Sequence, residues 1–288
     1  MQRSVRSTAL VVSLLIVGPI TLADSGSIAE DELTEITVSA KRVANERPAS
    51  TYAAPVTTLR FDPLVEIQSR GLAEGQSDIT VRGSVFENIG MQLGAVSIVD
   101  PQTGHYVVEL PVDPASLSVP AVLLGIDNAA AGFNSAIATV SYNFQPLADG
   151  GSVSLGAGTD DLDFQSLRFV RTGVTNAGNT LGAAASVARS QGDGSVPNGD
   201  HEFSRYNVHL QRAADSSQSD MLLSYQDKFY GWPGAYTGFA TLNEIDDTQT
   251  TLLMFNHRAT TSQGWWEAGA AYRRLVDDYD FDRTTIES

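Results

Sequence analysis

The stretch Arg205-Tyr206-Asn207-Val208-His209-Leu210-Gln211 alternates polar and apolar side chains without a break. Because successive side chains of a β-strand point to opposite faces of a sheet, this period of two predicts a strand with one polar and one apolar face. The same period recurs in residues 181–187 and 266–272, where Glu267 stands opposite the apolar positions. The C-terminal half of the chain is therefore expected to form an antiparallel β-sheet.

Segments of this kind fill the chain after Ala148, separated by turn residues. About seven strands are predicted, near residues 151–158, 163–171, 180–189, 203–213, 219–229, 250–259 and 265–276. Connections 172–179 and 214–218 are shorter than 190–202 and 230–249, although 159–162 is also short. Short turns on one side and long loops on the other are typical of outer-membrane β-barrels, whereas a soluble β-sandwich with ordinary hairpins fits the periodicity equally well.

The composition narrows the classes of protein. The 288 residues carry 18 Lys and Arg against 34 Asp and Glu, and the net charge of -16 argues against a nucleic-acid partner, which requires a basic surface. The chain has no cysteine, which excludes disulfides, thiolate metal sites and cysteine nucleophiles. No run of about 18 apolar residues follows the N-terminus, so a helical membrane protein is not expected, whereas the weaker hydropathy of barrel strands is compatible with the sequence.

Residues 1–23 have the pattern of a secretory signal peptide. Arg3 and Arg6 form a basic start, residues 9–17 are apolar, and Thr21-Leu22-Ala23 places small residues where cleavage after Ala23 requires them. The alternative is a short membrane anchor. Residues 24–45 are then expected to be a mobile N-terminal segment of an exported protein.

Residues 46–146 mix short apolar runs with irregular loops, which predicts a compact α/β unit. Strands are predicted at 56–60, 79–82, 95–99 and 106–110, and short helices at 63–69 and 114–124.

Three stretches of this unit carry a resemblance to a known family. Residues 78–84 read DITVRGS, residues 94–100 read GAVSIVD, and residues 122–144 read VLLGIDNAAAGFNSAIATVSYNF. In this order they resemble the plug domain of TonB-dependent outer-membrane receptors. The resemblance implies a plug domain over residues 46–146, followed over 147–288 by the N-terminal strands of a transmembrane antiparallel β-barrel.

The chain also departs from the family. Leu124 replaces the second plug arginine of the family, Ile126 replaces a proline, and Ile137-Ala138 replaces a pair of glycines. The barrels of the family have about 22 strands around a plugged lumen. About seven strands cannot close around a plug, so the barrel is expected to be incomplete and the chain a truncated part of a longer receptor.

The resemblance implies two contacts of the plug. The hexapeptide Glu35-Ile36-Thr37-Val38-Ser39-Ala40 looks like a TonB box, which implies that it pairs as an added strand with the periplasmic TonB protein. Arg82 stands in the family's IRG turn and is expected to lock the plug to Glu267 on the barrel wall. The alternative for Arg82 is an ordinary surface arginine at a turn.

The resemblance further implies a ligand site on the outer face. Residues 100–114 form the apical plug loop, and residues 231–236 read GWPGAY, similar to an outer loop of siderophore or cobalamin receptors. The expected ligand-binding residues are Gln102, His105, Tyr106, Trp232 and Tyr236. Aromatic side chains suit a bulky ligand, and the classes implied are iron-siderophore, haem and cobalamin. The alternative for Trp232 and Tyr236 is a loop that packs on itself.

Motifs of catalysis and metal binding are absent from the sequence. Its 4 histidines are scattered without partners at metal-site spacing, and it has no G-x-S-x-G elbow and no Walker A loop. No enzyme activity, cofactor or bound metal is expected. The resemblance implies a TonB-dependent importer in the lipid of a Gram-negative outer membrane. The alternative is a truncated, non-transporting outer-membrane or periplasmic binding protein.

Overall fold

The structure is a computed structural model that describes residues 5–16, 54–69, 75–100, 104–131, 135–239 and 241–285. A first strand, β1 (Val5–Ile16), is followed by a mixed unit over residues 54–147, here called the N-terminal unit. Long antiparallel strands then form one large sheet. The N-terminal unit packs against one face of this sheet, and that contact positions the candidate site.

Two small sheets build the N-terminal unit. The first is the antiparallel pair of β2 (Val65–Ser69) and β3 (Ser77–Val81). The second consists of β4 (Ile89–Leu93), β5 (Val96–Ile98), β6 (Ala121–Leu124) and β7 (Ala138–Tyr142). Its strands lie in the order β5-β4-β7-β6, with β4 and β7 parallel, and α1 (Gly125–Ala131) follows β6. The mixed α/β character agrees with the sequence analysis.

Two predictions at the start of the N-terminal unit are wrong. Residues 56–60 lie in the 3₁₀-helix Pro55–Phe61 rather than in a strand, because Pro55 at its first position fixes φ at a helical value. Residues 63–69 contain β2 rather than a helix, and alternate residues of β2 are exposed, as the period of a strand requires.

Two later predictions also need correction. Residues 106–110 do not form a strand: 105–108 form a turn, and 109–110 have no regular structure. Residues 114–124 form the short 3₁₀-helix Pro114–Ser116 and then β6, not one helix. The bounds predicted for strands 79–82 and 95–99 agree with those of β3 and β5 within two residues. After β3, Arg82 and Gly83 both have positive φ, of 55° and 71°, which produces a tight turn.

The strands predicted for the C-terminal half are all present, and most are longer than predicted. They are β8 (Gly150–Ala157), β9 (Asp163–Val174), β10 (Thr180–Gly192), β11 (His201–Ala214), β12 (Ser217–Gly231), β13 (Ile245–Thr261) and β14 (Gly264–Asp280). Each pairs antiparallel with the next. Connections 158–162, 193–200 and 232–244 lie at one end of the sheet, here called the long-loop end. Turns 175–179, 215–216 and 262–263 lie at the opposite end, here called the short-turn end.

The sequence analysis did not predict β1. This strand pairs antiparallel with β14, from Val5 opposite Asp277 to Ile16 opposite Trp266, so the large sheet has the order β1-β14-β13-β12-β11-β10-β9-β8. An edge strand presents unpaired backbone groups, which an apolar segment of high β-propensity can satisfy. Cleavage after Ala23 stays a prediction, and residues 17–53 lie outside the described residues.

The main hydrophobic core lies between the N-terminal unit and the large sheet. Val81 and Leu93 of the unit are fully buried, in one cluster with Leu222, Leu252 and Met254 of the sheet. The opposite face of the sheet exposes large apolar side chains: Val153, Leu155, Leu167, Phe169, Leu223 and Phe255. In the described residues, no helix is long and apolar enough to cross a membrane.

Candidate functional site

The two faces of β11 show how the large sheet holds the N-terminal unit. Alternate residues face the unit and are buried: Arg205, Asn207, His209 and Gln211. The residues between them are about half exposed, at 51% for Tyr206 and 47% for both Val208 and Leu210. The alternation in the sequence therefore places its polar side chains inside and its apolar side chains outside. This is the reverse of a soluble sheet, whose buried face is apolar.

Polar side chains of β11 bind the backbone of the N-terminal unit. Arg205 donates from Nη1 to the carbonyl oxygen of Val112 at 2.9 Å. Asn207 donates from Nδ2 to the carbonyl oxygen of Pro111 at 2.7 Å and accepts from the backbone N–H of Asp113. Because a buried backbone group without a partner is costly, these bonds fix how the loop at residues 111–113 lies on the sheet.

Asp113 adds a buried ion pair to this contact. Nη1 of Arg168, on β9, lies 2.6 Å from Oδ2 of Asp113 and 3.0 Å from Oγ of Ser116. Burial acts to raise the pKa of the Asp113 carboxyl, but Arg205, Arg168 and the N–H of Ala115 outweigh burial and hold the pKa below its usual value. The charged carboxylate therefore stabilises the contact between the unit and the sheet.

A second contact holds the end of the N-terminal unit at the short-turn end. Gln211 accepts from the N–H of Leu147 at 2.8 Å and donates to the carbonyl oxygen of Gln145 at 3.0 Å. Gln218 donates to the carbonyl oxygen of Phe144 at 3.1 Å. Oδ1 of Asp220 accepts from Nε2 of Gln211 and lies 2.9 Å from Nε2 of His209, and Oδ2 accepts from Nε2 of Gln218. These side chains fix the connection that leads into β8.

Glu267 is buried beside a third contact, made by Asn256. Oδ1 of Asn256 accepts from the N–H of Ala95 at 3.0 Å, and its Nδ2 donates to Oε1 of Glu267 at 2.8 Å. Arg82 lies elsewhere, beside a hollow of about 530 Å³ that residues of β6, α1 and the segment 135–137 also line. Among the described residues, the structure does not bring Arg82 and Glu267 together as an ion pair.

The apical part of the N-terminal unit is held at the long-loop end. Arg273, on β14, donates to the carbonyl oxygens of Val99 at 3.1 Å and Tyr106 at 2.8 Å. Nζ of Lys228, on β12, lies 2.5 Å from Oε2 of Glu109. Burial raises the pKa of Glu109, and the ammonium group of Lys228 opposes that shift.

A cluster of tyrosine hydroxyls surrounds Asp246, the second residue of β13. Tyr106, Tyr230 and Tyr236 each donate to its Oδ2, at 2.9, 3.1 and 2.9 Å. Tyr106 is also 3.3 Å from Oδ1 of Asp277. Burial and the carboxylate of Asp246 raise the pKa of Tyr106 and of Tyr236, so both phenols stay protonated donors.

An aromatic row crosses from the N-terminal unit to the outer loop 232–244. The ring of His105 stacks on Phe86 with centroids 4.2 Å apart and meets the edge of Tyr236 at 5.6 Å. Tyr236 in turn meets Tyr279 edge-on at 5.2 Å. Nδ1 of His105 lies 3.0 Å from Oδ1 of Asp78, which fixes the orientation of the imidazole.

The predicted ligand-binding residues divide into three groups. His105, Tyr106 and Tyr236 are brought together by the row and the cluster just described. Trp232 begins the outer loop, where its N–H donates to the carbonyl oxygen of Glu244 at 3.0 Å. Gln102 lies outside the described residues, as does the hexapeptide 35–40.

Sequence reasoning missed the charged residues of the long-loop end. Asp246, Asp277, Lys228 and Arg273 are all buried and all face the N-terminal unit. They occupy alternate positions of their strands, on the same face as buried apolar residues such as Leu252 and Leu275. Charged side chains on the buried face of a strand were the available signal, because such groups need partners supplied by another element.

The known structures with this architecture define a class of protein. No protein-family model matches the sequence, and no curated protein is similar to it. The solved structures that do match are TonB-dependent outer-membrane receptors, so the fold is that of this class and the resemblance seen in the sequence is confirmed for the fold.

Three of these structures can be named. The pyoverdine outer-membrane receptor FpvA from Pseudomonas aeruginosa PAO1 has a TM-score of 0.56, at 17% identity over 75% of this chain and 34% of that chain. The ferric citrate transporter FecA in the unliganded form has a TM-score of 0.56, at 11% identity over 76% of this chain and 37% of that chain. The alcaligin outer-membrane receptor FauA from Bordetella pertussis has a TM-score of 0.51, at 14% identity over 70% and 33%. The chain thus spans about a third of the length of the structures it matches.

Proposed function

We propose that the protein is a TonB-dependent receptor of the Gram-negative outer membrane that binds a bulky nutrient and imports it. The observation that carries this proposal is the reversed polarity of the large sheet. Its buried face is mostly polar and bonded to the N-terminal unit, with an apolar patch around Leu222 and Leu252, and its other face exposes apolar side chains such as Phe169. An apolar outer face and a polar inner face are what a transmembrane β-barrel requires. A soluble β-sandwich would bury the apolar face instead.

In this proposal the N-terminal unit is the plug, over residues 46–146, and residues 147–288 supply the first strands of the barrel. The long-loop end faces the outside of the cell, and the short-turn end faces the periplasm. Residues 1–23 act as a cleaved signal peptide. Residues 35–40 act as the TonB box, through which the periplasmic TonB protein supplies energy from the inner membrane.

The ligand site is proposed at the long-loop end, around His105 and Tyr236. Both side chains are partly exposed and lie on the aromatic row, where they can contact a bulky ligand. Tyr106 is only 3% exposed, so it supports the site from beneath. Gln102 and Trp232 are proposed at its rim. Of the three ligand classes, the iron-siderophore class has support from neighbours named for pyoverdine, alcaligin and ferric citrate.

The proposal is tested by uptake into cells that carry the full-length receptor as their only route for each probe. The probes are iron-55 ferric pyoverdine, haemin and cobalt-57 cyanocobalamin. We expect uptake of one probe, lost when the proton gradient is collapsed and when residues 35–40 are deleted. Deletion of residues 25–30, which has the same length, is the matched control and should leave uptake unchanged. Receptor present in the outer membrane without uptake of any probe, or uptake that survives the 35–40 deletion, would contradict the proposal.

Binding is measured separately on the same cells at 4 °C. We expect His105→Ala and Tyr236→Ala to lower the affinity for the imported probe by roughly tenfold or more, as loss of a buried aromatic contact does. His257→Ala is the control, because His257 bonds Ser219 and packs on Trp266 at the short-turn end. Equal affinity of all three variants and the wild type would place the ligand elsewhere.

A further inference from the structure

One oxygen atom joins three separate elements at the long-loop end. Oδ2 of Asp246 accepts hydroxyl bonds from Tyr106 in the apical segment 104–110, from Tyr230 at the end of β12, and from Tyr236 in the outer loop 232–244. The hydroxyls of Tyr230 and Tyr236 are also 2.8 Å apart. Asp246 is 1% exposed, so water does not readily replace a lost donor.

The outer loop and the apical segment are each also held by a residue other than Asp246. Glu244 holds the outer loop by accepting from the N–H groups of Tyr236 and Thr237, at 2.8 and 3.1 Å, and from the hydroxyl of Tyr279 at 3.0 Å. Arg273 holds the apical segment through the carbonyl oxygen of Tyr106 at 2.8 Å. Asp246 differs from both anchors because it bonds side chains of the loop and of the segment at once.

We propose that Asp246 is a positioning residue that couples the outer loop 232–244 to the apical segment 104–110. A ligand that draws Tyr236 toward itself removes one donor from Oδ2, and the geometry of the bond from Tyr106 must then change. Because Tyr106 belongs to the N-terminal unit, a movement of the outer loop reaches the unit through this carboxylate, in addition to the ring contact between Tyr236 and His105. This inference rests on the proposed function for its meaning, since it takes the outer loop to be the part that meets ligand.

The coupling is reciprocal, because linkage between two sites acts equally in both directions. Removal of the Tyr106 hydroxyl must therefore loosen the outer loop, although Tyr106 lies in the N-terminal unit. Likewise, removal of the Tyr236 hydroxyl must loosen the apical segment. A tyrosine with a merely structural role would loosen its own segment alone.

The test is hydrogen–deuterium exchange on the purified full-length receptor in detergent micelles, without ligand. We expect Tyr106→Phe to speed exchange in both peptides, 104–110 and 232–244, and Tyr236→Phe to do the same. In each case the distant peptide should change by about twofold or more, the coupling typical of residues in one hydrogen-bond network. Adding Tyr106→Phe to Asp246→Asn should then have little further effect on the outer loop.

Two controls separate coupling from general loosening. Tyr142→Phe removes another buried hydroxyl of the N-terminal unit, which donates to the carbonyl oxygen of Pro55, and should leave peptide 232–244 unchanged. Glu244→Gln loosens the outer loop through its own anchor. If Tyr106→Phe and Tyr236→Phe each affect their own peptide only, or if Tyr142→Phe has the same distant effect, the proposal is overturned. Exchange without ligand is independent of uptake, so the coupling can fail while import stands, and the reverse.

Discussion

The buried ion pair at Asp113 gives a prediction whose size follows from its surroundings. Asp113→Asn removes the charge that faces Arg168 and Arg205 but keeps the size of the side chain. The side chains of Arg168 and Asp113 are only 13% and 12% exposed, so the two guanidinium groups would be left in a poorly solvated site. Removal of one partner of a buried pair costs about 3–5 kcal/mol. We expect a loss at the lower end of that range, since Ser116 and the carbonyl oxygen of Val112 remain as acceptors.

The stability of this contact should also depend on pH, which gives a second prediction. The pKa of Asp113 is lower in the folded protein than in the unfolded chain. Its contribution to stability is therefore fully present above the unfolded pKa, and it is lost as the pH falls through the folded pKa. The wild type should weaken at acid pH toward the level of Asp113→Asn, while the variant lacks this component of the pH dependence.

The assay is limited proteolysis of segments 104–110 and 111–117 in the folded full-length protein, since cleavage rates follow the population of the locally open form. At pH 7 we expect Asp113→Asn to be cleaved at least about a hundredfold faster, which corresponds to roughly 3 kcal/mol. Asp149→Asn is the control, because its pair with Arg171 is exposed and 3.8 Å long, and it should cleave like the wild type. Equal cleavage of Asp113→Asn and the wild type at pH 7, or a difference that does not shrink on acidification, would refute the reasoning.

Two further substitutions test the packing of the sheet. Gly94→Ala should lower the thermal midpoint of the protein by several degrees, because Gly94 has a φ of 55° and an added Cβ would clash with Oδ1 of Asn256. Differential scanning fluorimetry measures it, and an unchanged midpoint would mean that the close approach is absent. If the exposed apolar face meets lipid as proposed, Phe255→Arg should reduce the amount of folded protein recovered from outer membranes, since arginine on a lipid-facing strand costs about 2–4 kcal/mol near the midplane. Phe255→Leu is its control, and equal recovery of the two variants would show that this face does not meet lipid.

The strands of the large sheet were predictable because each carries its own evidence. In β11, polar and apolar residues alternate from Arg205 to Gln211, and this pattern predicts both the strand and the residues of each face without knowledge of its neighbours. The N-terminal unit was less predictable, since its short elements depend on contacts from elsewhere. Residues 106–110 have the composition of a strand, yet the guanidinium of Arg273 binds the carbonyl oxygen of Tyr106 and the segment turns.

The aromatic residues of the candidate site could be predicted from the sequence, but Asp246, which they surround, could not. Their aromatic character and the resemblance to the family predict His105 and Tyr236 as ligand-binding residues, and the structure places their rings in contact. Asp246 is 140 positions from Tyr106 in the sequence, and only the fold brings them together. A long-range bond of this kind leaves no local pattern, because neither residue shows which element it will meet.

In the part of the chain that the structure describes, most hydrogen bonds from side chains of the large sheet to the N-terminal unit are made to backbone groups of the unit. Arg205, Asn207 and Arg273 bind carbonyl oxygens, and Gln211 and Asn256 accept from backbone N–H groups. Every residue type except proline offers the same peptide N–H and carbonyl. The side chains of these loops can therefore change while the hydrogen bonds to the large sheet remain, as long as the path of the backbone is kept. Bonds of this kind are compatible with a fold that is shared at 11 to 17% identity with solved structures.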